Sequence, residues 1–247
     1  CSPRHLPLRC TLRTLHPHRY LRILQMEKNH AKAIIGTGFD AVIIANGDYP
    51  SHPIARAIIE KAPFVCCCDG AAMAYMEQGR MPHAIVGDGD SLPQAFIQQH
   101  ASIIHTSSEQ KYNDLTKATR FCVSKGYRRI AYLACTGKRE DHALGNISLM
   151  AYYKRTMNVQ PIMFTDHGYF MPAQGTQTFQ SMEKQQGSIF RINGETLTSE
   201  GLRWDIYPFS DWWEGTLNEA IGETFTIHSD GEYLVYQTYE IKQSKPI

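Results

Sequence analysis

Asp88 and Asp90 stand two apart in the run Gly87-Asp88-Gly89-Asp90-Ser91. If the backbone there is extended, both carboxylates leave the same side of the chain. Two such groups repel each other unless a cation lies between them. A hard divalent ion such as Mg²⁺, completed by water and phosphate oxygens, meets that need. A solvated Asp-Gly turn, with Ser91 capping the next helix, is the plainer alternative. Asp114, among Glu109, Lys111 and Asn113, opens a helical pattern and is either a ligand or a helix cap. Arg139 and Asp141 bracket another helix start, where backbone N–H groups and the helix dipole favour an anion such as phosphate. No G-x-x-x-x-G-K-[ST] loop occurs, and Gly36-Thr37-Gly38 is too short for a dinucleotide fingerprint.

These clusters share a position along the chain. Apolar runs at 41–45, 64–68, 83–86, 102–105, 129–135 and 161–165 are continuous rather than alternating, as in strands covered on both faces. Helical patterns at 54–61, 71–77, 93–99, 115–125 and 142–155 lie between them, which predicts an open, mostly parallel α/β sheet. The polar groups Asn46-Gly47-Asp48, Asp69-Gly70, Gly87 to Ser91 and Thr136 to Asp141 each follow the carboxyl end of a proposed strand. In such sheets ligands bind in the crevice outside those ends, so the loops are expected to line one site.

After Gly168 the segments 176–180, 188–192, 202–206, 224–228 and 233–239 are short, β-branched or aromatic, and separated by turn residues. They predict a small antiparallel β-sandwich. The expected organisation is therefore an α/β domain over 26–167 and a β-sandwich domain over 168–247. Residues 1–25 hold five arginines and no lysine, aspartate or glutamate. That segment is read as a leader outside the fold, disordered or upstream of the true start.

The whole chain of 247 residues has a formal net charge of +1, so without those arginines the body is mildly acidic and carries no nucleic-acid footprint. No run approaches the ~18 apolar residues of a membrane span. Seven cysteines are odd in number and lack zinc-site spacing. Three of them, Cys66, Cys67 and Cys68, lie in one proposed strand as buried thiols, which suggests a reducing cytoplasm.

Taken in order, the motifs resemble those of the thiamin pyrophosphokinase family. The matching segments are Cys68 to Ala71, Gly87 to Ser91, Lys111-x-x-Asp114-x-x-Lys117-Ala118, Gly137 to Asn146, Gly201 to Trp204, and Gly215 to Glu219. Gly89 stands where the family has Phe, Lys138 where it has Gly, and Leu217 where it has Ser. The resemblance implies transfer of a diphosphoryl group from ATP to thiamin, giving thiamin diphosphate and AMP. It implies Mg²⁺ on Asp88, Asp90 and Asp114, phosphate contacts from Arg139 and Lys111, and nucleotide or thiamin positioning by Asp69, Gly70 and Asp141. It further implies a homodimer in which Trp204 and Asn218 meet thiamin across the subunit interface, the thiazolium lying on the indole face. Two rival readings are a metal-dependent glycosyltransferase that uses the D-x-D pair, and a non-catalytic thiamin or nucleotide binder.

Overall fold

Apolar runs too short for helices, punctuated by Gly, Asn and Asp, become strands in the computed structural model. It describes residues 38–241 except 108 and 110, and before them residues 25, 28–31, 33, 34 and 36. The expected leader, apart from Gln25, lies outside the described residues. Strands and helices then alternate: β1 (Ala41–Ile44), α1 (Pro53–Lys61), β2 (Val65–Cys68), α2 (Ala71–Met76), β3 (Ala84–Gly87), α3 (Gln94–Gln99), β4 (Ile104–Thr106), α4 (Asp114–Ser124), β5 (Arg129–Leu133), α5 (Glu140–Met157) and β6 (Gln160–Phe164).

The first six strands are parallel in the order β4-β3-β2-β1-β5-β6. Alternate side chains feed two cores, one on each face of the sheet. Val42, Ile44, Cys67 and Ile85 pack with Ile58 of α1 and Tyr75 of α2. Ile43, Cys66, Cys68 and Val86 pack with Leu115 and Cys122 of α4 and with Tyr153 of α5. Burial on both faces is why these strands read as unbroken apolar runs. The five cysteines in this half are buried free thiols; desolvation pushes those of Cys67, Cys68 and Cys135 up, and a hydrogen bond with Cys122, with burial behind it, pushes that of Cys66 up.

α5 ends on Asn158 in the left-handed conformation (φ 51°), and beyond β6 the strands turn antiparallel. They are β7 (Gly168–Gln174), β8 (Gln177–Gln180), β9 (Gln185–Arg191), β10 (Leu197–Glu200), β11 (Asn218–Glu219), β12 (Thr224–Ser229) and β13 (Glu232–Ile241). The fold class is the expected one, mostly parallel α/β followed by antiparallel β. The antiparallel strands do not all form a separate layer, however. β7, β13, β9 and β11 extend the main sheet to ten strands, while β10, β12 and β8 form a three-stranded sheet. Tyr233 and Val235 of the long sheet and Phe225 and Ile227 of the short one share a third core. The expected strand at 202–206 is absent: Leu202 makes one bridge to Ala220, and the chain then leaves the ladder.

Candidate active site

The strand order reverses at β1, whose neighbours are β2 on one side and β5 on the other. Loops leaving the carboxyl ends of these strands diverge there and open a crevice. A cleft of about 390 Å³ occupies that place, walled by Asn46 and Gly47 after β1, Asp69 after β2, Ser91 after β3, Asp114 at the head of α4, and Thr136, Lys138 and Arg139 after β5.

Asp69 sits at its floor. Its backbone takes φ 41°, a left-handed conformation that Asp tolerates better than most residues. Its side chain lies against Gly87 so closely that a Cβ there would stand 2.7 Å from Asp69 Cβ. One carboxylate oxygen, Oδ2, accepts from Ser91 N at 3.1 Å. The other, Oδ1, is buried and has no hydrogen-bond partner among the described residues. Such a group is costly unless something positive meets it.

Asp88 and Asp114 complete a group. Carboxylate oxygens of Asp69, Asp88 and Asp114 all lie within 4.8 Å of one another. Asn113 caps α4, its Oδ1 accepting from Thr116 N at 3.0 Å and Thr116 Oγ1 at 2.7 Å, which frees Asp114 to face the cleft. Burial raises the Asp114 carboxyl above its ordinary pKa, and Asp88 and Asp69 add to the rise; Lys117 opposes them. Lys117 Nζ donates to Asp114 Oδ1 at 3.1 Å and stands 4.0 Å from Asp88 Oδ2. An all-oxygen donor set of three converging carboxylates, one of them with a bare buried oxygen, fits a hard divalent cation such as Mg²⁺.

Asp90 stands outside this group. Gly89 takes φ +85°, so the chain between the two aspartates is not extended. Asp90 is exposed, and its N–H donates to Asp88 Oδ1 at 3.2 Å. Asp69, nineteen positions before Asp88, takes the neighbouring place because β2 and β3 run side by side and each is followed directly by an aspartate.

Arg139 and Asp141 meet at the rim. The guanidinium holds Asp141 through Nε–Oδ1 at 3.1 Å and NH2–Oδ2 at 2.6 Å. That contact lowers the Asp141 pKa to about 2. Gly70 precedes α2 with Asn46 and Ser91 close by. Lys111 is exposed, its Nζ 5.5 Å from the Tyr112 ring centroid, and does not line the cleft. Trp204 and Asn218 lie in the antiparallel half and do not line it either. The Trp204 ring is an exposed aromatic rather than a core one, and Arg203 stands 5.4 Å from its centroid. Sequence reasoning put the Asn46 loop at the site, as found, but gave no role to Lys117, which contacts Asp88 and Asp114. Asn46 accepts from Lys138 Nζ at 3.2 Å.

A family model described as the thiamin pyrophosphokinase catalytic domain matches residues 55–161, and one described as the thiamin pyrophosphokinase substrate-binding domain matches residues 168–236. The chain belongs to the thiamin pyrophosphokinase family. It is an enzyme of that family, with catalytic and substrate-binding segments in one chain. The glycosyltransferase reading has no use for residues 168–236. Among solved structures, the chain is similar to thiamin pyrophosphokinase from Candida albicans, at 16% identity and TM-score 0.70 over 85% of this chain and 90% of that one. It is similar to the thiamine pyrophosphokinase of Bacillus subtilis, at 18% identity and TM-score 0.66 over 80% and 98%. The yeast enzyme gives 14% identity and TM-score 0.66 over 84% and 89%. Likeness at these identities is likeness of fold. No curated protein sequence matches the chain. No described helix is long and apolar enough to cross a membrane.

Proposed function

We propose that this enzyme transfers an intact diphosphoryl group from ATP to the hydroxyethyl oxygen of thiamin. That oxygen bonds to the β-phosphorus while the bond from the β-phosphorus to the oxygen bridging to the α-phosphate breaks. AMP leaves with the bridging oxygen, and the hydroxyl proton is released. The observation that carries the reading is the bare, buried Oδ1 of Asp69 beside Asp88 and Asp114 at the sheet's switch point, in a chain of this family.

In this reading Asp88, Asp114 and Asp69 hold Mg²⁺, and Asp90 joins them from the rim across the Gly89 turn. The ion, when bound, neutralises phosphate charge. The chain's own part is to place the groups: such transfers are governed by positioning and electrostatics around the phosphates. Arg139 turns from Asp141 toward phosphate oxygens, a guanidinium suiting that planar, two-point contact. Lys111 adds charge at the rim, and Gly70 and Asp141 position the nucleotide or thiamin. Trp204 offers its indole face to the thiazolium, with Asn218 behind it. Because neither lines the cleft of its own chain, the reading includes a homodimer in which one subunit's antiparallel half faces its partner's cleft. A reducing cytoplasm suits the buried thiols. The domain division at residue 167 belongs to the same reading, with nucleotide before it and thiamin after it.

The test is to incubate the purified protein with ATP, Mg²⁺ and thiamin and to identify the products. Thiamin diphosphate with AMP in equal amounts is expected. ADP as the nucleotide product, or full turnover in EDTA, overturns the reading.

A further inference from the structure

A lysine one turn into a helix is badly placed on general grounds. Lys117 follows Asp114, the first residue of α4, by three positions, so its ammonium lies at the end of the helix where the dipole repels cations. Its side chain is 5% exposed. A buried ammonium against a helix N-terminus persists only where anions hold it. Here they are Asp114, with Oδ1 at 3.1 Å, and Asp88, with Oδ2 at 4.0 Å. The spacing makes the contact possible, since residues three apart share a helix face and side chains lean toward the N-terminus.

The coverage is partial. The ammonium meets two of the three carboxylates, and the buried Oδ1 of Asp69 is left without a hydrogen-bond partner among the described residues. With all three ionised, one ammonium leaves two negative charges unmatched. A divalent ion held by the same three carboxylates would stand close to the ammonium, where like charges repel strongly.

We propose that Lys117 is a positioning residue that takes the place of the divalent ion: its ammonium draws Asp88 and Asp114 together in the metal-free enzyme and is displaced when the ion enters. The proposal rests on the reading of the triad as the metal site. Lys117 keeps the carboxylates converged without metal, and the same charge weakens the binding of a bare ion. Affinity for the ion is lowered and the geometry that receives it is preserved.

The experiment measures Mn²⁺ binding to the metal-free protein, without nucleotide, by the electron paramagnetic resonance of the free ion. Lys117→Met is expected to bind Mn²⁺ about tenfold more tightly than the unmodified enzyme. Lys117→Arg, which keeps the charge, should stay within about twofold. Equal affinity in Lys117→Met and the unmodified chain overturns the proposal. Absence of Mn²⁺ binding, or binding untouched by Asp114→Asn, overturns the metal reading itself and the proposal with it. A measurement on the unmodified enzyme covers the case in which Lys117→Met does not fold. In ¹⁵N-lysine spectra the buried ammonium protons of Lys117 should exchange slowly without metal and lose that protection as Mg²⁺ saturates the site. Protection retained at saturation overturns the displacement.

Discussion

Asn218 holds the backbone of Trp204 at two points: its Oδ1 accepts from Trp204 N at 3.2 Å, and its Nδ2 donates to the Trp204 carbonyl oxygen at 2.8 Å. The same Oδ1 accepts from Glu219 N at 2.8 Å. Asn218 is buried while the Trp204 residue is 50% exposed. One residue anchors the turn and the other presents a ring.

From that division the first prediction follows. Trp204→Ala removes an exposed ring and leaves no cavity, so stability should change by about 0.5 kcal/mol or less. If the indole receives the thiazolium, thiamin binding weakens roughly two- to thirtyfold, from a contact worth about 0.5–2 kcal/mol. ATP affinity should hold, since Trp204 does not line the cleft of its own chain and in this reading meets thiamin, not nucleotide, at the partner's. Asn218→Ala unpairs buried backbone groups and should cost about 1–3 kcal/mol as well as thiamin affinity. Calorimetric titration with each substrate, beside thermal melts, separates these outcomes; intact thiamin affinity in Trp204→Ala removes the ring from the site.

Metal binding should rank the aspartates. Asp69→Asn and Asp114→Asn keep the shape of the group but remove an anion, and each should weaken Mn²⁺ binding about tenfold or more at neutral pH. Asp90→Asn should do less in the absence of nucleotide, because its carboxylate stands outside the converging group. A larger effect at Asp90 than at Asp69 would show that the Gly89 turn opens to bring Asp90 inside.

Gly87 guards the same group by what it lacks. A methyl there would meet Asp69 Cβ at 2.7 Å and Cγ at 3.1 Å. Gly87→Ala should therefore cost about 1–3 kcal/mol through overpacking and displace Asp69. The expected result is a folded protein with a lower melting temperature and Mn²⁺ affinity reduced as far as in Asp69→Asn. Mn²⁺ affinity at the unmodified level would mean that Asp69 is not a ligand.

The α/β half was legible because doubly covered strands announce themselves. The runs 64–68 and 83–86 appear as Val65–Cys68 and Ala84–Gly87, and the pattern at 142–155 as Glu140–Met157. β7 was hidden by Pro172, which reads as a strand breaker. β6 pairs with β7 only as far as Phe170, so among the described strands Pro172 has β13 alone as partner, and an edge tolerates the missing N–H. At 202–206 the composition suits a strand, but Asn218 occupies the Trp204 backbone groups that a ladder would use. In the site, clustering at strand ends was legible from the polar loops. The grouping within the cluster was not. The D-x-D spacing brings two carboxylates to one side only on extended backbone, and Gly89 at φ +85° breaks that condition. Asp69 joins Asp88 through the adjacency of β2 and β3, a fact of tertiary pairing that no local spacing carries.

The last prediction concerns acid. His30 is buried, and its Nε2 faces Gln185 Nε2 at 3.0 Å and the Tyr169 hydroxyl at 3.2 Å. Gln185 fixes the roles: its amide nitrogen also donates to the Thr238 carbonyl oxygen at 2.6 Å, and its Oε1 accepts from Met182 N and Gln237 Nε2, each at 3.1 Å. The nitrogen facing His30 is therefore a donor, and His30 Nε2 must accept, which requires a neutral ring with its proton on Nδ1. Turning the Gln185 amide over to suit an imidazolium would sacrifice those three bonds. Burial accordingly lowers the His30 pKa from 6.5 to about 4. Between those values the unfolded chain holds the proton and the folded chain does not. This contribution to stability is therefore complete above about pH 6.5 and is lost as pH falls toward 4. Its full size is about 3 kcal/mol, since each tenfold loss of proton affinity on folding is worth ~1.4 kcal/mol. His30→Gln keeps an acceptor and cannot protonate. Urea unfolding at pH 7, 5.5 and 4.5 should show the unmodified enzyme losing about 2 kcal/mol more than His30→Gln over that interval. Parallel losses in the two proteins would mean that the ring already titrates in the folded state near its ordinary value.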